Sequence, residues 1–401
     1  MGTYQTKLKY EDLKFYYYNN KIKCAFMKYF EFKINFPGLS ELIDEGEIKV
    51  SDGIICLESD RYKKRILNEI DAGLLNMRSI IDNKPAIFIY NGLGIPLIGN
   101  NSFGITDRNT NWLEIKPITV CNLDCEFCSV SPRYRNYDYV VSDDYLINET
   151  KKITELKKEK VNIFINAHGE PLLYSRMESL VSGLRKNNNI KKIIVVTNGS
   201  LLTDKKISNL KDAGVDQINV SLHSLNKENA KRIANANIFP DKIVETILAN
   251  KDKIKFVLTP VYVKGLNEKD IEDLIKFSKE NNIKIQIQNY LTYHFGSGKF
   301  KSITMDAFYS MLRKWEEKYD IELIPKSKDP IIKDASLKVP FKKDEIVKLK
   351  PIIPGRLKNE FISSERDRAI SLITKRDINS KKTITARIIR TKHNIITAKE
   401  V

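Results

Sequence analysis

The stretch WLEIKPITVCNLDCEFCSV, residues 112–130, runs a strand-like segment straight into three cysteines, Cys121, Cys125 and Cys128. Five cysteines in 401 residues are too few for a disulfide scaffold, and their clustering points to a metal in a reducing, cytoplasmic setting. The spacing is C-x3-C-x2-C. Thiolates so placed bind soft metals, chiefly zinc, copper or iron–sulfur. A zinc knuckle wants a fourth ligand, which only Cys24 or Cys56 could add as cysteine, and commonly shows paired C-x2-C units. Three thiolates can instead cap three irons of a cubane. The fourth iron then stays open to a ligand, which suits catalysis better than electron storage.

Outward from the cysteines the pattern is regular. Five more β-rich runs follow WLEIKPITV: VNIFIN, KKIIVVTNG, QINVSLH, IKFVLTPV and IKIQIQNY. Helical segments alternate with them. They are residues 142–160, with Ser142 or Asp143 as cap, then 174–185, 203–214, 227–248, 267–282 and 304–319. Such alternation predicts an α/β fold with parallel strands, and six units rather than eight predict a partial (β/α)6 barrel. Polar residues recur where strands end: Asn166, His168 and Glu170; Thr197 and Asn198; Ser221 and His223; Thr259; Gln288 and Asn289. Singly each reads as a turn or cap residue. Together they would share one rim with the cysteines, the rim where β/α barrels place chemistry.

Three domains are expected: residues 1–111, mixed and β-rich; 112–325, the partial barrel; and 330–401, a small basic β-barrel. The first region carries KFYYYNNK, KYFEFKINF, GIICLES and AIFIYNG, with helical periodicity only near 60–70. Its Tyr16–Tyr18 run reads as packing or edge-strand sequence, with a nucleobase platform as the other use. PKSKDPIIKD, residues 325–334, reads as a hinge. EIVKLKPI, RAISLIT, KTITARIIR and HNIITAKEV predict a five-stranded barrel of the OB-fold size class.

Lys and Arg number 68 against 51 Asp and Glu, a net charge of +17. Residues 331–401 hold 18 basic and 8 acidic side chains, so 10 of that surplus lies in the tail. The surplus favours a polyanion, an anionic surface, or simply a solvated basic face. The N-terminal MGTYQTKLKY lacks a leader-like apolar core, and no apolar run reaches the length of a membrane span.

In this setting CNLDCEFC, with Phe127 before the last cysteine, resembles the radical S-adenosylmethionine (radical SAM) superfamily across residues 112–290. The resemblance implies that Cys121, Cys125 and Cys128 ligate a [4Fe-4S] cluster whose open iron chelates the amino and carboxylate groups of SAM. A low-potential reductant such as ferredoxin or flavodoxin would supply an electron. SAM would then be cleaved to methionine and a 5′-deoxyadenosyl radical, which abstracts hydrogen from substrate. Phe127, Gly169, Glu170, Pro171, Thr197, Asn198, Ser221, His223 and Thr259 match positions near SAM; GEP at 169–171 matches the glycine-rich segment that handles the methionine ammonium. His168, Gln288 and Asn289 are the catalytic candidates. His168 reads equally as a turn residue, and Arg133 and Arg135 either meet an anionic substrate or form a basic loop.

The tail, with PGR at 354–356, ERDRAISLITKRD and TARIIRTKHNIITAKE, resembles the TRAM-type RNA-binding barrel. Its candidate phosphate contacts are Arg356, Lys358, Arg366, Arg368, Arg387, Arg390 and Lys392. RNA, above all tRNA, is therefore the expected partner. A protein or peptide substrate is the alternative, and a metal-containing RNA-binding protein is the non-enzymatic one. With two cysteines outside the motif, a second three-cysteine cluster of the methylthiotransferase kind has no ligands. With none after Cys128, the adenine-methylase type lacks its C-terminal cysteine.

Overall fold

The computed structural model describes residues 4–292, 296, 298–324, 330–375 and 382–401. Residues 325–329 of the expected hinge and His294 lie outside the described residues.

A seven-stranded sheet forms the centre. Its order is Gly104–Asp107, Trp112–Lys116, Val161–Ile165, Ile190–Thr197, Gln217–Val220, Lys255–Leu258 and Lys284–Ile285. The first strand is antiparallel to the second; the six core strands from Trp112 onward are parallel. Ile163, Ile165, Ile193, Val195, Ile218 and Val220 are buried, as expected of strands covered on both faces. Gln217 and Asn219 are buried too; Gln217 Nε2 donates to Asn219 Oδ1 at 2.6 Å, and Gln217 Oε1 accepts from Lys192 Nζ at 3.0 Å.

Several boundaries differ from expectation. The segment 227–248 makes two helices, Lys227–Ala234 and Pro240–Asn250. Asn235 ends the first in the left-handed conformation (φ 45°), and Pro240 opens the second, where its missing N–H costs nothing. Ser142 precedes helix Asp143–Thr154 without a side-chain capping bond. Asp143 instead accepts from Arg176 at 3.1 Å and Ser179 at 2.6 Å. The last two core strands also stop early. Beyond Pro260, Val261–Tyr262 pairs with Gln288–Asn289 as a separate ladder.

The N-terminal region holds a three-stranded sheet, most of a six-stranded sheet and helix Lys63–Leu74, where periodicity placed one. Two strands knit this region to the core. Gly104–Asp107 extends the central sheet, and Asp138–Val141, downstream of the cysteines, pairs parallel with Pro85–Ile89. Tyr16, Tyr17 and Tyr18 sit on edge strand Leu13–Tyr18 and are exposed, not packed, while Phe15 beside them is buried.

The tail is a six-stranded sheet, not a five-stranded one. EIVKLKPI divides into Ile346–Leu349 and Pro351–Pro354, which lie at opposite edges. One residue, Lys350, links those edges, so the sheet must curl to bring them together. In Ile384–Arg390, Ile384, Ala386 and Ile388 point inward and Thr385, Arg387 and Ile389 outward, the period of a half-buried strand. Among the described residues, no helix is long and apolar enough to cross a membrane.

Candidate active site

The cysteines lie in the loop after the first core strand, Trp112–Lys116. Backbone bonds fix this loop to the end of helix Lys227–Ala234: Asp124 N–H donates to Ala234 O at 3.1 Å and Glu126 N–H to Ile233 O at 2.9 Å. Burial pushes the Cys121 thiol up to about 12, with Glu170 and then Cys128 adding to the rise. Burial also raises Cys125, which feels both other cysteines, and Cys128. Within the loop Cys128 N–H donates to Cys125 O at 3.0 Å, and Leu123 N–H to Cys121 Sγ at 3.5 Å. Among the described residues, no three His, Cys, Asp or Glu side chains are arranged around a single metal ion. Cys24 and Cys56 are buried in N-terminal strands Lys21–Phe26 and Ile54–Leu57.

The turn after the second core strand, Val161–Ile165, abuts the cysteine loop. A Cβ built on Gly169 would stand 2.1 Å from Val120 O and 2.5 Å from Thr119 O, so only glycine allows the approach. Glu170 N–H donates to Val120 O at 2.8 Å. The Glu170 carboxylate is buried and accepts three bonds from the chain: Leu172 N–H (2.9 Å), Thr197 Oγ1 (2.7 Å) and Asn198 N–H (2.7 Å). Burial still outweighs these donors and raises its pKa to about 7. Glu170 thus joins the turn to the end of the third core strand, and Pro171 opens the short 3-10 turn Pro171–Leu173 behind it.

Further along the rim, Asn198 Nδ2 donates to Asn122 Oδ1 at 3.0 Å, and Asn122 Nδ2 to Ser200 Oγ at 2.9 Å. This amide–hydroxyl network touches the cysteine loop. Asn122 and Ser200 were not among the expected site residues, since Asn and Ser in loops read as turn formers. Ser221 and Thr259 hydroxyls lie 3.4 Å apart across neighbouring strands. His223 Nδ1 accepts from Val261 N–H at 3.2 Å, and burial lowers its pKa to about 4, so the ring is neutral near pH 7. Phe127 packs edge-on against it, centroids 4.8 Å apart, in an apolar cluster with Ile233, Val263, Leu266 and Tyr290.

The catalytic candidates separate. Gln288 is exposed. Asn289 Nδ2 donates to Ile303 O at 2.9 Å, tethering the approach to helix Met305–Tyr319. His168 is held neutral by burial, with Arg356 adding to the effect, and its Nδ1 is buried without a partner among the described residues.

The basic candidates separate too. Arg135 is buried: Nη1 donates to Thr119 O at 2.9 Å and meets Asp138 at 3.4 Å, while Nη2 meets Asp82 at 3.4 Å. It braces the loop and cannot face a substrate; Arg133 is exposed. Arg356 and Arg368, expected on a phosphate-facing surface, are buried. Arg356 reaches Thr119 O and His168 O, and Arg368 bonds Asn394 and the Lys338 carbonyl. Arg366 pairs with Glu345 at 2.8 Å. Lys358, Arg387, Arg390 and Lys392 remain exposed. Strand alternation misplaces Arg356 because it follows Gly355 at the strand's end, where the chain turns into the core.

Residues 115–278 match the family model of the Radical SAM superfamily. The uncharacterized protein MJ0103 of Methanocaldococcus jannaschii is 31% identical over 424 aligned positions, covering 96% of each chain. The GTP 3′,8-cyclase of Aquifex aeolicus is 32% identical over 177 positions, 43% of this chain and 53% of the enzyme, so the likeness spans about half of the cyclase. Streptococcus suis SuiB, solved bound to its precursor peptide SuiA, superposes with a TM-score of 0.44 at 17% identity, covering 79% of this chain and 72% of SuiB.

Proposed function

The chain is a radical SAM enzyme and belongs to one family with MJ0103, and on that premise we propose that Cys121, Cys125 and Cys128 hold a [4Fe-4S] cluster that binds SAM. The observation that carries this reading is the close seat of the Gly169 turn on the loop that holds the three cysteines, where a Cβ on Gly169 would stand 2.1 Å from Val120 O and Glu170 N–H donates to that same oxygen at 2.8 Å. The donor set fits the group. In a cubane each thiolate binds a different iron, so its ligands need not converge on one point as those of a single ion must. When bound, the cluster supplies the electron that cleaves SAM to methionine and a 5′-deoxyadenosyl radical.

The chain's own residues do the rest. Gly169 lets the turn's backbone lie against the cysteine loop, where its carbonyls can receive the methionine ammonium. Glu170, Thr197 and Asn198 hold that turn to the next strand. Phe127, packed edge-on against His223 and in one apolar cluster with Tyr290, walls the site on the side of Cys125.

The substrate reading is a peptide or protein side chain. The support lies in the cysteine loop itself, where Asp124, which accepts from Asn235 Nδ2 at 3.1 Å, and Glu126, paired with Lys299, place two acidic side chains, a setting that suits phosphate poorly. RNA is the second reading, favoured by exposed Arg387, Arg390 and Lys392 on the tail.

Anaerobic reconstitution should give about four irons and four sulfides per chain. Dithionite and SAM should then give 5′-deoxyadenosine, and Cys125→Ala should give none. A zinc protein without SAM cleavage would overturn the reading. Mass spectrometry of protein and RNA from cells with and without the gene decides the substrate. A modified nucleoside lost together with the gene, and RNA binding lost in the R387E/R390E/K392E variant, would establish RNA instead.

A further inference from the structure

The tail sheet is bound to both other parts of the chain. Ala369 N–H donates to Ile98 O at 2.7 Å and Ile396 N–H to Gly99 O at 2.8 Å. Gly99 has φ +124°, and a Cβ there would stand 2.0 Å from Ala369 O. On the core side, Asn136 N–H donates to Arg356 O at 2.7 Å, Tyr139 Oη to Pro354 O at 2.9 Å, and Arg135 bridges Leu357.

From this junction the Arg356 side chain enters the core. A single nitrogen, Nη2, donates to His168 O at 2.6 Å and Thr119 O at 3.3 Å. Those carbonyls belong to the two segments that Gly169 brings together. Thr119 lies two residues before Cys121, and His168 immediately precedes Gly169. Without Arg356, Thr119 O would keep its bond from Arg135, but His168 O, beside a glycine contact with no room for a side chain, would lose the donor seen here. Arg135 donates to Thr119 O from the other side at 2.9 Å but does not reach His168. Arg356 is therefore the described side chain seen to bond both segments. Its Nε and Nη1 are buried without hydrogen-bond partners among the described residues, so the side chain's hydrogen bonds there are the two carbonyl contacts, beside the attraction of the Asp138 charge.

We propose that Arg356 is a positioning residue for SAM: by holding the Thr119 and His168 carbonyls on one guanidinium nitrogen, it fixes the Gly169 turn against the cysteine loop. The tail sheet is thereby a part of the SAM site and not only a substrate-binding appendage. This rests on the proposed cluster and SAM reading.

The test uses full-length, reconstituted enzyme and measures the SAM dissociation constant by equilibrium dialysis, with melting temperature and iron content alongside. R356Q should weaken SAM binding by about tenfold, the scale at which outer-shell supports act, while keeping its iron. R356K can still donate to both carbonyls, but without the planar fork, and should weaken binding about threefold. R368Q, in the tail away from the cysteines, should lower the melting temperature and leave SAM binding unchanged. Wild-type SAM affinity in R356Q, or equal losses in R356Q and R368Q, would overturn the proposal. Should R356Q not fold, wild-type affinity in R356K would overturn it as well. A wild-type protein that takes up no iron and binds no SAM removes the functional reading and this one with it. Normal wild-type loading with a flat variant series removes only this one.

Discussion

Thr197 Oγ1 donates to Glu170 Oε1 at 2.7 Å, joining the end of the third core strand to the turn after the second. Both side chains are almost fully buried. Thr197→Val keeps the shape and removes the donor, leaving the carboxylate two backbone partners. A loss of about 1–3 kcal/mol is expected, read by chemical denaturation. In the Glu170→Gln background the same substitution should cost less, because a neutral amide depends less on the lost donor.

Glu170 also sets a pH dependence. Burial raises its pKa from an ordinary 4.5 to about 7. Below 4.5 the folded and unfolded chains both hold the proton; between 4.5 and 7 only the folded chain holds it; above 7 neither does. Unfolding therefore releases a proton within that window, and stability falls as pH rises through it, by about 3 kcal/mol in all. Glu170→Gln should remove this part of the slope. Urea titrations of the unloaded protein at pH 5, 6, 7 and 8 would reveal it, and parallel wild-type and variant curves would refute it.

Gly169→Ala tests the close approach directly. The new Cβ would meet backbone oxygens of Thr119 and Val120, which cannot rotate away as a side chain could. The turn must move off the cysteine loop, with a loss on the order of 3 kcal/mol and a fall in iron retained after reconstitution. Gly265→Ala is a useful control: its φ is +81°, but a Cβ there meets nothing within 4 Å. It should lose a little stability and no iron.

Phe127 supports the site from the apolar side. Phe127→Ala would empty space among Ile233, Val263, Leu266 and Tyr290, beside Cys125. A loss of about 3–5 kcal/mol is expected, with faster loss of iron to a chelator. Phe127→Leu, nearer in volume, should recover most of both.

The core was legible in the sequence because its strands are short, apolar and β-branched and its helices amphipathic, so period and length agree. IIVV in the third core strand has no other sensible place. The cysteine loop was legible from spacing alone. Less was legible where the chain's partners lie far away in sequence. Nothing local separates Arg356, which meets Thr119 237 residues away, from exposed Arg387. Nor does sequence show that Asp138–Val141, inside the core segment, completes the N-terminal sheet. The helix break at Asn235 was readable in principle, since Asn followed by Pro240 is a stop and a restart.

The Arg356 clamp carries a consequence for the order of events during synthesis. Cys128 leaves the ribosome 228 residues before Arg356 does. At about 5–20 residues per second, the cysteine loop exists for roughly 11–46 s before its clamp is made. For that interval the carbonyls of Thr119 and His168 lack the Arg356 guanidinium, and the turn is held to the cysteine loop by contacts such as Glu170 N–H on Val120 O. Loading during translation therefore meets a site without its clamp, whereas reconstitution in vitro starts from the finished chain.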